Sequence, residues 1–145
     1  MKVRECMSRD VEIANPDQSI REAAMMMARI DAGAIPVGDG DRLVGMITDR
    51  DIAVRAVAEG KGPETKVREA MTGEIKYCFE DEECDDVIAN MGDNQVRRLP
   101  VLSRDKRMVG IVSLGDLAHA DGSVRTAKAL DQISQPGGQH SQSTH

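Results

Sequence analysis

The chain has 145 residues, a formal net charge of −6 at pH 7 and a sequence pI near 5.1, with 40% of residues hydrophobic and 30% charged. That length suits one compact domain or two small halves. The negative balance repels a nucleic-acid backbone, no apolar run approaches the ~20 residues that span a bilayer, and Met1-Lys2-Val3-Arg4-Glu5 lacks the apolar core of a secretory signal, so neither nucleic acid nor membrane is expected as a partner and a cytoplasmic location is expected.

The chain opens on Val3-Arg4-Glu5-Cys6-Met7-Ser8 and passes into a short extended stretch, Val11-Glu12-Ile13. Ser19-Ile20-Arg21-Glu22 has the form of a capping box, which predicts a helix start. Ile20, Ala23, Ala24, Met27 and Ile30 then recur at three- and four-residue spacing, the stripe of an amphipathic helix. Ile35-Pro36-Val37 and Leu43-Val44-Gly45-Met46-Ile47, parted by the turn-rich Gly38-Asp39-Gly40-Asp41, predict a β-hairpin. A closing helix is predicted from Asp49, with Ile52, Ala53, Ala56 and Val57 as its apolar positions, and Gly60-Lys61-Gly62-Pro63 then breaks the chain.

The same order returns. Val67-Arg68-Glu69-Ala70-Met71-Thr72 repeats the opening segment 64 residues on, and Leu99-Pro100-Val101 repeats Ile35-Pro36-Val37 at the same offset. After one residue inserted in the turn Ser103-Arg104-Asp105-Lys106, the offset is 65. Met108-Val109-Gly110-Ile111-Val112-Ser113 then matches Leu43-Val44-Gly45-Met46-Ile47-Thr48, and Asp116 matches Asp51. Between them lie the extended stretch Ile75-Lys76-Tyr77 and a helical stripe of Cys84, Val87, Ile88 and Met91; a closing helix near Gly115 carries Leu117 and Ala118. A period of this length marks a duplicated supersecondary unit. One unit of about 50 residues buries too little apolar surface alone, so the two copies must pack together. The fold class expected is α/β (α+β), β-α-β-β-α twice with pseudo-twofold symmetry. A first repeat is placed at 1–60, a linker at 61–64 and a second repeat at 65–121. An amphipathic helix at 122–134 carries Val124, Ala127, Leu130 and Ile133, and a polar, disordered tail follows at 135–145.

With no Trp, one Tyr, one Phe and nine Met, packing must rest on aliphatic and thioether side chains. Cys6, Cys78 and Cys84 are odd in number and lack CxxC spacing, so free thiols are expected, with no disulfide framework and no zinc site. A redox or metal sensor using all three is the competing reading. There is no HExxH, G-x-S-x-G or P-loop pattern. His119 reads as a helix-surface residue, His140 and His145 fall in the tail, and Asp81-Glu82-Glu83 with Asp85-Asp86 read as a solvated face. No catalytic set is legible, and no enzyme is expected. Arg97-Arg98 with Arg104, Lys106 and Arg107 are too few for a nucleic-acid stripe.

The order of elements, with Ile35-Pro36-Val37, the run Leu43 to Asp51, Arg98-Leu99-Pro100-Val101 and the run Met108 to Asp116, resembles the cystathionine-β-synthase (CBS) domain family over residues 3 to about 120, as a tandem pair or Bateman module. The resemblance implies a non-catalytic regulatory module that binds AMP, ADP or ATP in clefts between paired repeats, with no covalent cofactor. Less often such modules take S-adenosylmethionine or another adenosyl ligand such as NAD. It implies association of two modules into a four-repeat disc, here a homodimer, and small stand-alone bacterial members that are stress-associated. A structural dimerisation or interaction module with no physiological nucleotide is the alternative.

The family's ligand signature is a Thr or Ser three residues before an Asp, after a Gly-bearing strand. By that resemblance Asp51 and Asp116 meet the ribose hydroxyls, a carboxylate offering two acceptor oxygens to a vicinal diol. Thr48 and Ser113 meet phosphate, aided by backbone N–H groups at a helix start. The same spacing is also a helix capping box, and the two roles are compatible. Arg50 in the first copy, and Arg97 and Arg98 in the second, are the candidate phosphate grips that make the sites unequal. The adenine pocket is assigned to Ile13, Ile35, Pro36 and Val37, and to Tyr77, Leu99, Pro100 and Val101, with plain core as the other reading of each; the prolines shape a strand edge. No metal ligand is assigned.

Overall fold

Val3 and Val67, the matching apolar residues near the start of each repeat, are both completely buried, and each lies in the core of the other repeat. The computed structural model of the chain describes residues 1–73, 75–121 and 124–135. They form two compact units, Glu12–Ile75 and Met1–Val11 together with the chain from Lys76 onward. The repeats along the sequence and the units of the fold are thus different divisions: each repeat's opening segment is a strap on the other repeat, and residues 61–64 lie inside the first-named unit.

In the unit Glu12–Ile75, α1 spans Ile20–Ile30, β1 Ala34–Asp39 and β2 Arg42–Thr48. Helix α2, Asp49–Asp51, runs on as a π-helical turn over Ile52–Val57. Ser19 caps α1 as expected, accepting from the Glu22 N–H at 3.1 Å, while the Glu22 carboxylate takes the Ser19 hydroxyl rather than the cap's N–H. The next orphan donors of the first turn, Ile20 N–H and Arg21 N–H, are taken by the carbonyls of Thr65 and Pro63 at 2.8 and 3.2 Å. The buried stripe of α1 is Ile20, Ala23, Met26 and Met27. It is rotated from the expected one, since Ala24 and Ile30 are exposed and Met26 fills the core in their place. The antiparallel hairpin pairs Ala34 with Thr48 at one end and Asp39 with Arg42 at the other. The strand expected at 11–13 shrinks to one parallel bridge, Ala14 to Val37. Ala14 exchanges bonds with Pro36 O and Gly38 N, and the next bond in that ladder would need an N–H that Pro36 lacks.

The second unit repeats this plan with β3 Cys78–Phe79, α3 Cys84–Asn94, β4 Arg98–Leu102, β5 Met108–Ser113 and α4 Leu114–Asp121. Its sheet order is β3-β4-β5, parallel then antiparallel. The short strand falls at Cys78–Phe79 rather than at 75–77. Pro100 therefore stands in the middle strand, just before the first pair of the β3 ladder, instead of at a sheet edge. The α3 stripe Cys84, Val87, Ile88 and Met91 is buried as its spacing predicts. Helix α5, Val124–Ile133, packs on α3 through Ala129, which is buried, with Ile133 partly covered. Ala127 and Leu130, expected on its inner face, are exposed, because the close approach is made at Gly92, where a Cβ would meet the Ala129 backbone at 3.1 Å. Except for Gln135, the expected disordered tail lies outside the described residues, as do His140 and His145.

The straps dock identically. Val3 N–H donates to Glu82 O and Arg4 N–H to Glu80 O, both at 3.0 Å; Val67 N–H donates to Gln18 O at 2.8 Å and Arg68 N–H to Pro16 O at 3.0 Å. Ser8 then bridges Ile111, and Thr72 bridges Met46. Beside these bridges lie Gly110 and Gly45, where a Cβ would come within 2.7 Å of Ser8 O and 2.8 Å of Thr72 O. The two glycines thus exist to admit a strap. Gly45→Ala and Gly110→Ala are each expected to lower stability by about 1–3 kcal/mol, read from urea unfolding midpoints. Gly62→Ala, where a Cβ meets only open space, should change it by less than about 0.5 kcal/mol.

Candidate functional site

Each hairpin hands its last strand residue directly to a helix. Thr48 ends β2 in an extended conformation (φ −117°, ψ 162°), and its Oγ1 accepts from Asp51 N–H while Asp51 Oδ2 accepts from Thr48 N–H, both at 3.0 Å. In the other unit Ser113 Oγ accepts from Asp116 N–H and Asp116 Oδ2 from Ser113 N–H, again both at 3.0 Å. The following N–H is fixed the same way in both copies, Asp49 N–H on Gly33 O at 2.9 Å and Leu114 N–H on Arg97 O at 2.8 Å. The capping-box reading of the two motifs is therefore realised twice. The box occupies one carboxylate oxygen of each Asp and leaves each hydroxyl its own proton to donate. The Asp51 side chain is 12% exposed, and Thr48, Ser113 and Asp116 are partly exposed. Such a pair can accept from a diol through the acid and donate to an anionic oxygen through the hydroxyl.

The copies differ around this shared frame. Arg98 is the cross-strand partner of Ser113, whereas Ala34 faces Thr48, so a guanidinium shares a face with the hydroxyl in one unit only. Arg97 is exposed and contributes its carbonyl to the Leu114 N–H; its counterpart Gly33 lies against the Asp49 carboxylate, where a Cβ would meet Oδ2 at 3.0 Å. Arg50 is exposed beside Asp49, its N–H donating to Asp49 Oδ1 at 2.8 Å. A residue missed in the sequence is Arg55, whose Nε stands 3.7 Å from Asp51 Oδ1 one helical turn on. The i,i+4 spacing from Asp51 was the available signal; Ala120 holds the matching place in the second copy.

The apolar assignments divide. Ile35, Val37, Leu99 and Val101 are buried in the two cores, as the packing reading of each expects. Pro36 and Pro100 are buried as well. Ile13 and Tyr77 alone of that set are partly exposed. Ile13 lies against β1 at Gly38, and Tyr77 packs edge-on against Phe79 at 5.5 Å, with the Arg104 guanidinium 4.2 Å above the Phe79 ring. Arg104 is also paired with Asp81 at 2.8 Å, and His119 is exposed on α4. A hollow of about 250 Å³ opens at the turn end of β1–β2, lined by Asn15, Pro16, Asp17, Asp39, Val44, Arg68 and Met71. It takes in none of the predicted ligand residues. Its wall is held by Arg68 on Asp17 at 2.7 Å, and that guanidinium keeps the Asp17 carboxyl below its ordinary value. Among the described residues no group of three His, Cys, Asp or Glu is arranged to hold a metal, and no helix is long and apolar enough to cross a membrane.

The CBS domain family model matches residues 3–57 and 67–123. The CBS domain-containing protein YhcV of Bacillus subtilis (strain 168) is 41% identical over 133 residues, covering 91% of this chain and 94% of that one. The crystal structure of Hypoxic Response Protein I with two coordinated zinc ions is 36% identical with a TM-score of 0.75, covering 82% of this chain and 98% of the other. The CBS domain pair of protein MJ0100, in complex with 5′-methylthioadenosine and S-adenosyl-L-methionine, is 31% identical with a TM-score of 0.73 over 84% of this chain and 96% of that one. With both repeats matched and the strand–Thr/Ser–x–x–Asp–helix junction built twice, this chain belongs to the CBS domain family and is a CBS-pair protein.

Proposed function

We propose that the chain is a non-catalytic regulatory module whose ligand is an adenine nucleotide, AMP, ADP or ATP. The observation that carries this is the duplicated junction: Thr48 with Asp51 and Ser113 with Asp116, held at the same distances by the same bonds. Asp51 and Asp116 take the ribose diol, Thr48 and Ser113 a phosphate oxygen, and Arg98 adds a charge across from Ser113 where Ala34 stands across from Thr48. Arg50 and Arg97 stand at the rim. Ile13 and Tyr77 are the partly exposed apolar surfaces left for the base. A CBS pair with adenosyl ligands bound, that of MJ0100, supports the ligand class.

An exposed apolar surface favours a second property. Met25 and Ile30 on α1, and Val54 and Val57 after α2, are 58%, 39%, 47% and 65% exposed. A second copy of the chain is the proposed cover of these exposed apolar side chains.

Thermal-shift titration with AMP, ADP, ATP, S-adenosylmethionine and NAD tests the ligand: a specific binder raises the melting temperature progressively with concentration. Silence towards all five at millimolar concentration would leave only the dimerisation reading. Asp51→Ala should weaken the first site roughly ten- to a hundredfold by calorimetry, the value of roughly 1.5–3 kcal/mol for hydrogen bonds to a charged group. Thr48→Ala should in addition lower stability of the empty protein by about 1 kcal/mol through the lost cap. Sedimentation should give a dimer that Val57→Asp converts to monomer; a monomeric wild-type chain at micromolar concentration would overturn the association.

A further inference from the structure

Cys6 and Cys84 are 78 positions apart in the chain, and their sulfurs are 3.5 Å apart in the fold. Cys6 closes the turn Val3–Glu5 of the opening strap, and Cys84 is the first residue of α3. The Cys6 sulfur also lies 3.5 Å from Val3 O. A thiol has one proton, so when Cys6 gives its own to that carbonyl, Cys84 donates to Cys6. Backbone bonds, and not the sulfurs themselves, hold the pair in place: Val3 N–H to Glu82 O at 3.0 Å, Cys84 N–H to Met1 O at 2.9 Å, and the two Ser8–Ile111 bonds at 2.8 and 2.9 Å. In the other unit the matching positions are Ala70 and Ile20, both buried in its core. The plan of the fold therefore fills this contact with ordinary apolar side chains and does not call for thiols. Cys78 is separate: it is fully buried, and its sulfur faces Pro100 O at 3.9 Å.

We propose that Cys6 and Cys84 form a redox-modification site, in which a reversible disulfide fastens the opening strap to α3. The oxidant is a low-molecular-weight disulfide, RSSR. Cys6, the more exposed of the two, gives up its proton and attacks one sulfur of RSSR, forming a mixed disulfide and releasing RSH. The Cys84 sulfur, losing its own proton, attacks the Cys6 sulfur and expels the second RSH. Two thiols have lost two electrons and two protons, and RSSR has gained them. The sulfurs close to about 2.05 Å by side-chain rotation. Burial pushes the Cys6 thiol up to about 12, with the hydrogen bond to Cys84 and the charges of Asp116 and Glu5 acting in the same direction. Thiolate is therefore scarce at neutral pH and exchange is slow, which suits a lock better than a fast sensor. The assignment is independent of any nucleotide.

The test uses the full chain equilibrated in glutathione buffers of increasing oxidised fraction, then alkylated under denaturing conditions. The expected result is a fall in free thiols from three to one, loss of the mass of two hydrogens, and a peptide map joining Cys6 to Cys84. The oxidised chain should melt roughly 5–15 °C above the reduced one, since the bridge closes a long loop. Cys78→Ser should keep that difference and Cys84→Ser should abolish it. Three thiols surviving in fully oxidised buffer, a product that stops at the glutathione adduct, a bridge to Cys78 or to a second chain, or a bridge without the rise in melting temperature would each overturn the proposal.

Discussion

The structure depends on a reciprocal exchange of straps. Val3 and Val67 each complete the core of the repeat they do not belong to, and the carbonyls just before them, Met1 and Thr65, cap the first N–H of α3 and α1. A helix start left without such partners would bury unsatisfied donors. A repeat deprived of its strap would lose both a core side chain and a helix cap, in a unit already near the lower size limit for independent folding. The demand falls on Gly45 and Gly110, whose strands must let a foreign backbone approach within what would be Cβ contact. The glycine that marks the ligand signature thus has a structural reason that needs no ligand.

The same economy shapes the site. In each unit the strand ends on a hydroxyl, the helix begins on an acid three residues later, and the two residues hold one another through backbone N–H groups. The hydroxyl and carboxylate are therefore each fixed by a backbone N–H. Differences between the copies surround this constant core: Arg98 against Ala34, Arg97 with Leu114 against Gly33 with Asp49, and Arg55 against Ala120. A ligand shifts a conformational balance only through unequal affinity for its states. The two junctions thus share one frame and differ in the charges around it.

What the sequence determined alone was carried by neighbours within a turn or a hairpin. Ser19 and Glu22 set the start of α1, Cys84 to Met91 spaced the buried face of α3, and Thr48–Asp51 and Ser113–Asp116 named the junctions, because a cap, a stripe or a tight turn is written in residues three or four apart. The duplication itself was legible as matched order and spacing, and so was the family it signals.

Tertiary structure decided what depends on distant partners. Val-Arg-Glu opens both repeats, and nothing local says that each copy serves the other. Ile35, Val37, Leu99 and Val101 have the composition of a ligand wall and of a core alike, and only packing against the helices closed them in. Met26 replaced Ala24 and Ile30 in the stripe of α1, and Ala129 replaced Ala127 and Leu130 on α5, because the surface each helix meets, and not its own period, chose the face. Cys6 and Cys84, too far apart in the chain for any motif, meet because backbone bonds hold the strap beside the start of α3. Periodicity is a property of one segment; contact is a property of two, and the second was written only when the chain folded.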